Sequence, residues 1–100
     1  MTVAFYAGTF DPVTRGHQDI AERAAGIFDR VIVGVFDTPE KTLLFSTEER
    51  VALFRQTIRA LPNVELMAYK GLTVEFAKGV GATVMVRGLR SITDLDYEAA

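Results

Sequence analysis

Cysteine is absent from this chain of 100 residues, which excludes disulfides, thiol nucleophiles and thiolate metal sites together. There is one histidine, His17, so no histidine cluster can hold a transition metal, although a hard cation on oxygen ligands is still open. No bulky apolar run is longer than a few residues, too short to span a membrane. The opening Thr2-Val3-Ala4-Phe5-Tyr6 carries no basic region of the kind a signal peptide needs. Nor is there charge of one sign: 11 Lys and Arg against 13 Asp and Glu give a net charge of −2, which offers nucleic acid no basic field. What the chain does have is 49% apolar and 24% charged residues, the balance of one small domain with a real core. These observations imply a cytoplasmic protein with neither a membrane nor a nucleic-acid partner.

Short apolar runs alternate with helical periods. Val3–Ala7, Val31–Phe36, Val64–Ala68 and Ala82–Val86 read as strands, the second β-branched and apolar throughout, as a strand buried on both faces would be. Between the first two, a helix over His17–Phe28 turns Ile20, Ala21, Ala24, Ile27 and Phe28 to one side. Ser46 and Glu49 have capping-box spacing and predict a helix start. Its core face is Val51, Phe54, Ile58 and Leu61, and Pro62-Asn63 ends it. Thr73–Lys78 forms a short helix closed by Gly79 and Gly81, and a last helix starts near Thr93 or Asp94. No repeat or linker breaks the chain, so residues 1–100 form a single domain. Strand–helix alternation predicts an α/β fold, a Rossmann-like doubly wound parallel sheet with helices on both faces. Ligands of such sheets bind beyond the carboxyl ends of the strands.

The loops at those ends carry the unusual residues. After the first strand comes Gly8-Thr9-Phe10-Asp11-Pro12-Val13-Thr14-Arg15-Gly16-His17. Gly8 allows a close backbone approach to a phosphate, and Gly16-His17 opens a helix, where free N–H groups favour an anion. On spacing alone the two glycines serve equally well as turns. The loop is neither a Walker A loop nor the three-glycine dinucleotide fingerprint. Lys41 lies in the loop before Ser46, and alone it reads as a surface lysine. Arg87 directly follows the fourth strand, at the end of the sheet where a charge meets a ligand. Arg90 and Glu98 alone would be ordinary exposed charges, and Asp94, Asp96 and Glu98 suit the first turns of a helix.

Taken together, these residues resemble a known family. Thr14-Arg15-Gly16-His17 is similar to the Thr/His-x-Gly-His signature of the nucleotidyltransferase superfamily. Tyr6 to His17, Pro39 to Arg50 and Val86 to Glu98 resemble the bacterial phosphopantetheine adenylyltransferase family, in the right order and across the whole chain. The last stretch is the most specific. The resemblance implies a nucleotidyltransferase-type sheet that moves the adenylyl group of ATP to 4′-phosphopantetheine, with Mg²⁺ on the phosphates, in coenzyme A biosynthesis. Thr9 would touch both substrates, Phe10 would offer its backbone to ATP, and His17 would steady the transition state. Lys41 would reach the reacting phosphates. Thr73 would contact the pantetheine side, Arg87 would bind the 4′-phosphate, and Gly88, Leu89, Arg90 and Glu98 would contact ATP. Homohexamers and feedback by coenzyme A are implied as well.

The sequence departs from the family at Ala7, where Pro is frequent, and at Thr73, where Leu or Met is more usual. The family's Ser-rich ATP loop has no counterpart in these residues. A chain lacking its C-terminal part is therefore expected, with turnover belonging to a longer chain. Two other readings stand beside this one: a superfamily relative with a different acceptor, and a nucleotide-binding module or truncated fragment without turnover.

Overall fold

The computed structural model describes residues 1–37 and 43–87. Four strands, β1 (Val3–Gly8), β2 (Arg30–Phe36), β3 (Val64–Tyr69) and β4 (Val84–Val86), pair in parallel in the order β3-β2-β1-β4. Three helices, α1 (Arg15–Ile27), α2 (Thr47–Thr57) and α3 (Thr73–Gly79), connect them. The chain steps outward from β1 to β2 to β3, then returns to the other side of β1. The carboxyl end of β1 is therefore the point where the winding reverses, the place where such sheets bind ligands.

Alternation along the strands sorts side chains into two layers. Tyr6, Val31, Val33 and Val35 face α1 and α2, where they bury Ala21, Ala24, Phe54 and Ile58. Val3, Phe5, Ile32 and Tyr69 face α3 and bury Ala77. A sheet covered on both faces needs apolar residues in both registers of its central strands, which β1 and β2 supply. Gly34 keeps the α3 layer thin, because a Cβ there would run into the rings of Phe5 and Tyr69.

Helix ends follow local chemistry. The predicted capping box of α2 forms: Glu49 N–H donates to Ser46 Oγ at 3.2 Å and Ser46 N–H to Glu49 Oε1 at 2.9 Å. Glu48 and Glu49 lie in its first turn, where carboxylates suit the dipole. Several points differ from the sequence reading. Helix α1 starts at Arg15, two residues before His17, because Thr14 caps it. Helix α2 ends at Thr57, well before Pro62. Asn63 is instead a brace, donating its side-chain amide to Ala25 O at 2.8 Å and Phe28 O at 3.2 Å at the end of α1. Strand β4 is shorter than expected and pairs over Val84–Val86 alone. Ile27, expected on the core face, is 74% exposed and lines an open groove with Ile20, Phe28 and Val86. The helix expected near Thr93 lies outside the described residues.

Candidate active site

The site begins where β1 runs out. At Gly8 a Cβ would lie 2.7 Å from Cζ of Phe10, so glycine is required because the Phe10 ring occupies that space. Phe10 has φ of +50°, a left-handed conformation that a bulky residue adopts only when its surroundings hold it. They do: its ring is buried and packs edge-on against Tyr6, Phe54 and His17, with centroids 5.2, 4.7 and 4.9 Å away. Beyond it, the Asp11 carboxylate accepts from the backbone N–H groups of Leu44 at 2.6 Å and Phe45 at 2.9 Å. This ties the β1 loop to the segment entering α2.

His17 is the third residue of α1, and its side chain folds back on the cap. Thr14 N–H donates to His17 Nδ1 at 2.9 Å, and His17 N–H donates to Thr14 Oγ1 at 3.3 Å. A backbone N–H can only donate, so Nδ1 must be the unprotonated nitrogen and the ring proton sits on Nε2. Burial lowers the pKa of His17 below the ordinary histidine value, and the positive end of α1 opposes a second proton as well. The ring is thus a neutral donor through Nε2. Nearby, burial pushes the Tyr6 phenol up to about 12, so it remains protonated.

Two chambers flank the carboxyl end of β1, of about 430 and 460 Å³, and Ala7, Gly8 and Thr9 line both. The first lies toward α3 and takes in Tyr69, Thr73, Met85 and Arg87. Its wall is braced by a hydrogen bond of 2.9 Å between the Tyr69 and Thr73 hydroxyls. The second lies at the start of α1 and takes in Tyr6, Phe10, Thr14, Gly16 and His17. Of the residues singled out in the sequence, Thr9 is shared, Phe10 and His17 fall in the second chamber, and Thr73 and Arg87 fall in the first. Lys41, Gly88, Leu89, Arg90 and Glu98 lie outside the described residues. Gly16, read as a possible turn, is the second residue of α1.

One participant escaped the sequence reading. Arg50 on α2 is fully buried. Its Nη1 donates to Thr9 O at 2.8 Å and Phe36 O at 3.0 Å, its Nε to Phe45 O at 3.2 Å, and its Nη2 to Thr47 Oγ1 at 2.9 Å. It therefore fastens the ends of β1 and β2 to the start of α2. The signal for it was present: Arg50, Phe54 and Ile58 recur every four residues, which places Arg50 on the inward stripe.

An α/β sheet with two chambers at its switch point, one of them at a helix start with a neutral histidine donor, fits a protein of the nucleotidyltransferase type. The cytidylyltransferase-like family model matches residues 5–100, and the chain belongs to that family. It is 58% identical over 98 residues to the phosphopantetheine adenylyltransferase of Roseiflexus sp. strain RS-1, covering 98% of this chain and 61% of the relative. The phosphopantetheine adenylyltransferase of Chloroflexus aggregans is also 58% identical, with the same coverage of 98% and 61%. The chain thus spans about 61% of the length of these curated relatives. Among solved structures, the bifunctional NMN adenylyltransferase/ADP ribose pyrophosphatase of Francisella tularensis, complexed with AMP and a manganese ion, superposes with a TM-score of 0.63. It is 14% identical, covers 98% of this chain and 40% of that one, and supports the fold alone. No described helix is long and apolar enough to cross a membrane.

Proposed function

We propose that the protein transfers the adenylyl group of ATP to 4′-phosphopantetheine, giving dephospho-coenzyme A and pyrophosphate. The observation that carries this reading is the pair of chambers meeting at Thr9, with a neutral histidine donor in one and an arginine in the other. Two phosphorylated substrates must converge on one bond, and two such chambers give each its own entry.

An oxygen of the 4′-phosphate attacks the α-phosphorus of ATP, the new P–O bond forms, and the bond to the bridging oxygen breaks with its electron pair leaving on pyrophosphate. The attacking phosphate is already an anion, so no general base is needed. Alignment and charge stabilisation are what the protein supplies. Arg87 holds the acceptor phosphate, whose geometry suits a guanidinium fork. Nε2–H of His17 donates to the α-phosphate oxygens as charge builds there, and Tyr6 keeps its proton throughout. By the family resemblance, Lys41 spans the reacting phosphates, and Gly88, Leu89, Arg90 and Glu98 hold ATP. The described residues include no cluster of three His, Asp or Glu side chains that would cage a metal. A magnesium ion, when bound, would be held by the phosphate oxygens of the nucleotide and would supply charge neutralisation on the leaving group. Assembly into homohexamers, feedback by coenzyme A and a cytoplasmic location belong to the same reading.

The test is direct. The protein is mixed with ATP, Mg²⁺ and 4′-phosphopantetheine, and pyrophosphate and dephospho-coenzyme A are measured together, with CTP and other phosphorylated acceptors alongside. Equal release of both products supports the reading. Preference for CTP or another acceptor overturns the substrates, and calorimetric binding of ATP without turnover, by residues 1–100 and by a C-terminally extended chain alike, marks a nucleotide-binding module.

A further inference from the structure

Arg50 is a full charge with no access to solvent. Burying a guanidinium is unfavourable unless its donors are used, and four of its five N–H groups are. Three of the four acceptors are backbone carbonyls, and two of these, Thr9 and Phe36, belong to residues lining the chambers. Among the described residues no carboxylate stands within ion-pairing distance of it. Its route to a carboxylate runs through the Thr47 hydroxyl, which donates to Asp37 Oδ1 at 2.8 Å. Among the described residues, nothing cancels the positive charge on the spot.

The peptide joining Thr9 to Phe10 is trans, so its C=O and N–H point in opposite directions. The carbonyl is turned inward to Arg50, hence the Phe10 N–H is turned away from it. Phe10 lines the second chamber, and its N–H makes no hydrogen bond among the described residues. We infer that Arg50 is a positioning residue for phosphate binding: its guanidinium fixes and polarises the Thr9–Phe10 peptide, so that the Phe10 N–H becomes a charge-backed donor to a phosphate oxygen beside His17. A charge-assisted bond to a peptide oxygen strengthens the donor on the other end of the same peptide. The left-handed φ of Phe10 is the local strain this arrangement sustains. The inference rests on the second chamber being the nucleotide-phosphate side.

Pyrophosphate is the probe, titrated by calorimetry into wild type, Arg50→Lys, Arg50→Met and Thr47→Val, with 4′-phosphopantetheine as the comparison ligand. The Phe10 amide is followed by NMR in the same proteins. Arg50→Met is expected to weaken pyrophosphate binding roughly tenfold, less than the 10²–10³ in rate lost with an outright missing donor. It should also move the Phe10 amide proton upfield and weaken phosphopantetheine binding clearly less than pyrophosphate binding, because Arg87 is untouched, although Thr9 and Phe36, which Arg50 also holds, line that chamber too. Lysine should restore part of both effects, because it keeps the charge but not the fork. Equal weakening of both ligands, or a Phe10 amide that does not move, would reduce Arg50 to a general structural brace and overturn the inference. Should Arg50→Met fail to fold, Thr47→Val removes one acceptor of the guanidinium, and a smaller loss in the same direction is expected; no change overturns it. If the wild type itself binds no pyrophosphate, the phosphate chamber fails first and the inference falls with it.

Discussion

At the scale of single residues, the His17 imidazole has a structural task that would also suit it to the proposed chemistry. Its Nδ1 completes the cap of α1 and thereby commits the proton to Nε2. As His17 is the one histidine in the chain, its ring signals are unambiguous. NMR should find the Nε2–H tautomer and a pKa below 6.5. A lowered folded value means that the unfolded chain binds the proton more readily. The stabilising contribution is therefore complete above 6.5 and is lost as pH falls through the folded value. Thermal midpoints followed from about pH 8 to 5 should fall less steeply in His17→Asn than in wild type. Parallel curves would mean that the ring titrates alike in both states. Gly8 makes a different kind of demand. Gly8→Ala should destabilise the protein by about 1–3 kcal/mol, since the Phe10 ring is wedged among three other rings and cannot step aside. In a Phe10→Leu background the same change should be milder in urea melts, which is the coupling a double-mutant cycle reads.

At the scale of elements, what the sequence made legible was whatever short-range chemistry decides. The β-branched run of β2, the Ser46–Glu49 cap and the glycines at the end of α3 act over a few residues, and each produced the element expected from it. Failures came where an unusual local partner or a distant one decides. Thr14 starts α1 early because a histidine can complete a capping box, a role usually read from Glu or Gln. Asn63 looked like a helix stop beside Pro62, yet its side chain closes the end of another helix 35 and 38 residues away. Asn63→Ala should accordingly cost about 1–2 kcal/mol in chemical denaturation, with two carbonyls losing a donor at once. Asn63→Asp should be no milder, because a carboxylate there cannot donate and would face those carbonyls. A cost near zero for either would show that water replaces the amide freely.

At the scale of the whole molecule, the site is a consequence of winding order. Only where β1 is flanked by β2 on one side and β4 on the other do two chambers share the backbone of Gly8 and Thr9. The sequence placed Thr9, Phe10, His17, Thr73 and Arg87 at strand ends, and sheet order then divided them between the chambers. Arg50 stayed hidden because a charged residue on a helix is ordinarily read as facing solvent, whereas here the carbonyls it meets come from three separate segments. The division predicts independent failures in the proposed transfer. Arg87→Ala should raise the KM for phosphopantetheine more than that for ATP, and Arg87→Lys should recover only part of the loss. His17→Ala should instead lower kcat by about 10²–10³ with little change in either KM, because its donor meets charge that develops mainly in the transition state. The two substitutions sit in different chambers, so their effects on kcat/KM should add in free energy when combined. A double variant much better than that sum would mean that both side chains hold the same phosphate and that the chambers act as one.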